Sequence, residues 1–155
     1  FQFSFVRNPY DRVVSGFCHK VLGARKIMTP EGHKDWNKYL GHELKNDAES
    51  FSIFVKKYFT EQRPLDRHFF TQSSLIYGKD LNVDTNIYIG KLEQFKEHWQ
   101  QVCDALNVEN TEVETKNKTK EKKPYQTYFQ SDEVKQIIDD FYKIDFETFG
   151  YDFEM

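Results

Sequence analysis

The sequence is poor in the residues that staple small proteins. Its two cysteines, Cys18 and Cys103, lie far apart with no CxxC spacing, which excludes a disulfide framework and a cysteine-built zinc site. Both are expected to be buried thiols. No apolar run approaches the roughly 20 residues of a membrane-spanning helix, and no basic stretch followed by an apolar core stands at the N-terminus. An excess of basic charge is also missing. The formal net charge is −3 and the pI about 6.0, so the chain as a whole carries no nucleic-acid signature, and any anion site has to be local. The phosphate-cradling pattern GxxxxGK[ST] does not occur either.

What is present is aromatic bulk in regular patterns. With 155 residues, 38% hydrophobic and 30% charged, and with 15 Phe and 9 Tyr, residues 1–155 suffice for one globular domain and leave little room for a second. Phe1, Phe3 and Phe5 alternate with Gln2 and Ser4 ahead of Val6, which predicts a strand. Asn8 can cap a helix with its side-chain oxygen, Pro9 suits a first helical position, and Asp11 puts negative charge in the first turn. A helix from about Pro9 to Leu22 follows, with Tyr10, Val13, Val14, Phe17 and Val21 on one face and Ser15 off that stripe.

Residues 23–45, punctuated by Pro30, Gly32 and Gly41, read as a surface excursion with little regular structure that could line a substrate cleft. Ser50 opens a second amphipathic helix carrying Phe51, Phe54, Val55, Tyr58 and Phe59, and Pro64 ends it. After a loop through Asp66 and His68, residues Asn86 to Gly90 form a short buried strand. A helix from about Leu92 to Leu106 turns Phe95, Trp99, Val102 and Leu106 inward. The Glu-, Lys-, Thr- and Asn-rich stretch from about Val108 to Lys123 reads as a mobile loop. Ser131 caps a last helix with Asp132 and Glu133 in its first turn and Val134, Ile137, Ile138 and Phe141 inward. Strands separated by helices predict an α/β layer structure with parallel strands.

A strand running into a helix N-terminus is a device for anions, because unpaired backbone N–H groups and the positive end of the helix dipole converge there. Arg7 stands at that junction. Its planar guanidinium can grip a phosphate with two parallel hydrogen bonds, and Ser15 can donate from its hydroxyl. The alternative is a capped helix with a surface arginine and a neutral serine.

The segment Phe5-Val-Arg-Asn-Pro-Tyr-Asp-Arg-Val-Val-Ser-Gly-Phe17 resembles the 3′-phosphate-binding motif of the sulfotransferases that use PAPS (3′-phosphoadenosine-5′-phosphosulfate). The blocks Ser50 to Val55, Asp66 to Gln72, Ile87 to Glu93, Asn117 to Thr119 with Tyr125, and Asp145 to Tyr151 are similar, in order, to those of the Golgi-type carbohydrate sulfotransferases and their bacterial relatives. Thr71 departs from the pattern, since many relatives carry Pro there. The resemblance implies a P-loop-NTPase-like three-layer fold, with a parallel sheet flanked by helices. It implies transfer of a sulfuryl group from PAPS to a hydroxyl of a glycan or glycoconjugate, leaving PAP and requiring no metal. Arg7 and Ser15 occupy the two positions that hold the 3′-phosphate.

The family's 5′-phosphosulfate loop and its strand have no counterpart in these residues. The chain is therefore expected to begin at the family's second conserved strand, and because several carbohydrate sulfotransferases carry the catalytic base between that loop and the 3′-phosphate motif, the base is expected upstream of Phe1. His68, beside Asp66 and Arg67, is the candidate base or acceptor-binding group, set against a structural or surface histidine. Lys118 is the candidate that folds over the nucleotide, set against a solvated run of lysines. Asp11 and Arg12 are expected to pair locally or to brace the phosphate site, and Lys91 and Glu93 to organise the turn after their strand. Two other functions stay open: a P-loop phosphotransferase, and a domain that binds nucleotide or glycan without turnover. A membrane attachment would come only through an N-terminal anchor, with the Golgi lumen expected for a eukaryotic protein and the cytoplasm for a bacterial one.

Overall fold

The computed structural model describes residues 1–24, 26–29, 32–60, 66–78, 80–81, 86–110, 113 and 123–154, with 26–29 and 32–34 as backbone alone. The alternating aromatics at the start form the expected strand, β1 (Gln2–Val6). Two residues later α1 (Pro9–Gly16) begins, and the Asn8 Oδ1 accepts from the backbone N–H of Tyr10 at 2.9 Å and of Asp11 at 3.4 Å. The chain stays helical from Phe17 to Gly23 but in π geometry. The helix expected to reach Leu22 is thus one rod whose hydrogen bonding changes at Phe17.

The stretch 23–45 is more regular than its composition suggests. β2 (Lys26–Thr29) pairs antiparallel with β3 (Gly32–Asp35), and α2 (Trp36–Leu40) follows at once. Asp35 caps α2 by accepting from the Lys38 N–H at 3.1 Å, and Gly41 ends it at φ 68°, a conformation that favours glycine. Those two caps were the readable signal. Trp36 is fully buried, its ring centroid 5.1 Å from that of Tyr58 and 5.4 Å from that of Phe54.

The second amphipathic helix starts earlier than Ser50. In α3 (Ala48–Tyr58) the cap is Asp47, which accepts from the Ser50 N–H at 2.8 Å, so Ser50 lies inside the first turn. A short helix, α4 (Gln72–Tyr77), interrupts the expected loop; Thr71, the departure from the family pattern, caps it through a 3.3 Å bond from the Ser74 N–H. Then come β4 (Ile87–Lys91), α5 (Phe95–Leu106) and α6 (Asp132–Phe149).

β1 and β4 pair in parallel, Gln2 opposite Ile87 through Val6 opposite Lys91. A parallel pair requires a crossover, and the helices between the two strands supply it. The described residues thus form an α/β structure with a small parallel sheet flanked by helices, and β2–β3 stands apart as a separate antiparallel pair. α5 lies against this sheet through Phe95 and Trp99, with the Phe5 and Phe95 centroids 5.0 Å apart. Leu106, expected inward, is 43% exposed. Leu106 is the last residue of α5, beyond the Phe95 and Trp99 contacts with the sheet.

The main core joins α1, α3 and α6. Phe17, Phe51, Phe54, Phe69, Ile138 and Tyr142 are all fully buried in it. Ser131 stands at the start of α6 but makes no side-chain cap bond. Its carbonyl accepts from the Lys135 N–H at 3.1 Å, and Asp132 and Glu133 meet the positive end of the dipole instead. Of the two free cysteines Cys103 is buried, whereas Cys18 is half-buried beside the Tyr128 hydroxyl, at 3.6 Å.

Candidate functional site

β1 delivers Arg7 to the mouth of α1, and a glutamine far along the chain holds it there. The Arg7 N–H donates to Gln72 Oε1 at 2.9 Å, and Gln72 Nε2 donates back to the Arg7 carbonyl at 2.8 Å. Gln72 is buried and is itself anchored from behind. Asp145, a fully buried acid on α6, accepts from the Gln72 N–H at 2.7 Å, the Ser73 N–H at 2.8 Å and the Ser73 hydroxyl at 2.7 Å. A carboxylate out of water is costly unless hydrogen-bonded. Here it sits at the N-terminus of α4, where free N–H groups and the helix dipole favour negative charge.

The Arg7 guanidinium pairs through Nε and Nη2 with Asp11, one helical turn on. Asp11 and Ser15 lie four residues apart within α1 and share a face of it, whereas Arg7 precedes the Asn8 cap and reaches Asp11 from outside the helix. Ser15 is half-buried, and its hydroxyl bonds to no other described residue. A second carboxylate closes the mouth of the helix: Glu93 accepts from the Asn8 N–H at 2.7 Å and from the Tyr151 hydroxyl at 2.9 Å. Lys91 donates to the Gly150 carbonyl at 2.8 Å and lies 4.4 Å from the centre of the Tyr151 ring. Burial first, and then the adjacent Glu93, push the Tyr151 hydroxyl well above its ordinary pKa, with Arg7 opposing. Tyr151 therefore stays a proton donor to Glu93 through the physiological range. Burial, then the charges of Asp11 and Glu93, raise Tyr125 as well.

This geometry corrects the anion-site expectation in one respect. The backbone N–H groups expected to await an anion are occupied, those of Tyr10 and Asp11 by the Asn8 side chain and that of Asn8 by Glu93. What the junction still offers are side chains, Ser15 with no bond to another described residue and Arg7 paired with Asp11. Arg12 does not pair with Asp11, because neighbours in sequence diverge on a helix. Its Nη1 donates instead to the Phe70 carbonyl at 2.6 Å. The Lys91 and Glu93 side chains, expected to organise the turn after β4, reach other elements instead, Lys91 the Gly150 carbonyl and Glu93 the α1 mouth and Tyr151. Lys118 lies outside the described residues.

Residues 66–72 run back along α1 from its far end to its start. Phe69 packs on Gly16, where an added Cβ would stand 2.6 Å from the ring; Phe70 meets Arg12; Gln72 meets Arg7. His68 therefore lies near the Gly16 end of α1, which is roughly 10 Å along the helix from the Pro9 end where Arg7 stands, at 1.5 Å per residue. The structure does not bring these two candidates together. Asp66 accepts from the His68 N–H at 2.9 Å and lies 2.6 Å from its Nδ1. Partial burial pushes the Asp66 carboxyl up, but the His68 N–H and ring outweigh it and leave the pKa below its ordinary value. The His68 side chain is 51% exposed.

Gln72 and Asp145 were not singled out from the sequence. Asp145 did carry a signal: it falls three residues after Tyr142 and four before Phe149, on the buried stripe of α6, where an acid has no place unless it is bonded.

Among the described residues no group of three or more His, Cys, Asp or Glu side chains is placed to hold a metal ion, and no helix is long and apolar enough to cross a membrane. The sequence matches the model of the sulfotransferase family over residues 1–152. No curated protein and no solved structure matches it significantly. The matched span takes in the Arg7 junction and each block that braces it, from β1 through Gln72 and Glu93 to Tyr151, and the chain belongs to the sulfotransferase family.

Proposed function

We propose that the protein moves a sulfuryl group from PAPS to a hydroxyl of a carbohydrate or glycoconjugate, releasing PAP, with Arg7 and Ser15 holding the nucleotide's 3′-phosphate. The P-loop-like framework that the motif resemblance implies belongs to this proposal. Family membership supports sulfuryl transfer by a transferase enzyme. The observation that carries the finer reading is the setting of Arg7: backbone held on both sides by Gln72, guanidinium paired with Asp11 in the first turn of the helix that carries Ser15, Nη1 bonded to no other described residue.

PAPS supplies the activated sulfuryl group. The 3′-phosphate does not react, so holding it converts binding energy into orientation of the donor. Arg7 suits that task because a guanidinium meets two phosphate oxygens at once. Asp11 offsets part of its charge and ties the side chain to the first turn of α1.

His68 is proposed as the base or acceptor-binding group. With Nδ1–H donating to Asp66, Nε2 is left to accept a proton. Lys118 is proposed to fold over the bound nucleotide.

Replacing Arg7 by Ala is expected to weaken PAP binding by about 1.5 to 3 kcal/mol, the scale of a hydrogen bond to a charged group. Calorimetry on the intact protein measures it, and unchanged affinity would sink the assignment. Turnover with labelled PAPS and glycan acceptors tests the reaction. ATP competing as well as PAP would favour a phosphotransferase, and PAP binding without label transfer a non-catalytic domain.

A further inference from the structure

We infer that Gln72 is a positioning residue for the phosphate grip, aiming Arg7 while Asp145 anchors Gln72 from behind; the inference rests on the proposed role of Arg7. Val6 is the last residue of β1 with a partner in β4, so Arg7 lies just beyond the support of the ladder. Gln72 supplies what a neighbouring strand would: a planar amide with one acceptor for the Arg7 N–H and one donor for its carbonyl.

Those two groups belong to the peptide planes on either side of the Arg7 Cα. Pinning both fixes the direction in which the side chain leaves the backbone. The orientation of the amide is fixed too, because exchanging its oxygen and nitrogen would set acceptor against acceptor and donor against donor. Gln72 cannot drift, since its own N–H is held by the fully buried Asp145. The next residue, Asn8, is held by Glu93. A phosphate arriving at Arg7 thus meets a guanidinium whose root is already ordered, and little further ordering entropy opposes binding.

The test compares PAP with AMP, which lacks the 3′-phosphate, by calorimetry on the intact protein. Gln72→Met keeps the side-chain length and removes both hydrogen bonds. It is expected to lower the ratio of PAP to AMP affinity roughly tenfold, the order of losing a positioned hydrogen bond, with AMP affinity within about twofold of the original. Gln72→Glu sets an acceptor against the Arg7 carbonyl and is expected to lower the ratio as well, which keeps the test alive if the Met variant does not fold. An unchanged ratio, or an equal loss of both nucleotides, overturns the inference and leaves Gln72 a structural residue. Arg7→Ala runs in parallel. If it too leaves the ratio unchanged, the phosphate-site reading fails; if it abolishes the preference for PAP while both Gln72 variants keep it, only the positioning role fails.

Discussion

The segment 68–72 carries a polar residue at each end, His68 and Gln72, and the two are held in opposite ways. Gln72 is 7% exposed and braced by a carboxylate 73 residues away. The His68 side chain is 51% exposed and braced by a carboxylate two residues away. The first arrangement exists only in the folded protein, where α4, α6 and β1 converge. The second is a local turn that water screens and that a few residues can form alone. Long-range bracing suits a group that must be in place before the ligand arrives, and a local pair suits one that adapts to it.

The largest expected effect would break this comparison at its strong end. Asp145→Ala leaves two backbone N–H groups and the Ser73 hydroxyl without their acceptor, and should cost about 3 to 5 kcal/mol of stability, at roughly 1 to 3 kcal/mol per buried unsatisfied group after partial relaxation. Denaturant unfolding measures it. A loss under about 1 kcal/mol would show that water reaches the group and that it does not anchor the junction.

Next comes the contact that joins the two ends. Gly16→Ala would place a methyl group 2.6 Å from the fully buried Phe69 ring. Thermal unfolding should report a loss of about 1 to 3 kcal/mol, the usual range for overpacking. No loss would mean that the ring slides freely and that the segment is not seated on α1 as described.

Effects at the exposed end should be smaller. The pKa of Asp66 is lowered in the folded protein, so its carboxylate favours folding above the ordinary value of 3.8 and that contribution is lost as the pH falls through the lowered folded value. The stability difference between the wild type and Asp66→Asn should therefore be flat at neutral pH and shrink on acidification below pH 4. A difference that grows on acidification has the wrong sign. Smallest of all, His68→Ala should change stability by less than about 0.5 kcal/mol, as for most exposed sites. A turnover loss with unchanged stability and PAP affinity would then mark His68 as functional.

The elements of the molecule were legible to the degree that their signals are local. The Asn8–Pro9 helix start, the α1 stripe and the strands around Phe3 and Ile89 all stand where their spacing puts them. α2 escaped notice because a five-residue helix shows too little period, although its two caps were there to read. Ser131 misled because a cap residue bonds only when its side chain meets the first turn, which composition does not guarantee.

The sequence by itself determined that Arg7 stands between strand and helix and that Ser15 lies within the helix, because the Asn8–Pro9 start fixes where that helix begins. It also determined family membership, through the order of its blocks. The tertiary structure alone decided the register of the expected parallel pair, Gln2 opposite Ile87, that Gln72 closes on Arg7 from 65 residues away and Glu93 on Asn8 from 85, and that Trp36 enters the core. Caps and periodicities act within a turn or two of the chain. Contacts at such separations have no spacing rule, and they form only where packing the aromatic core brings their elements together.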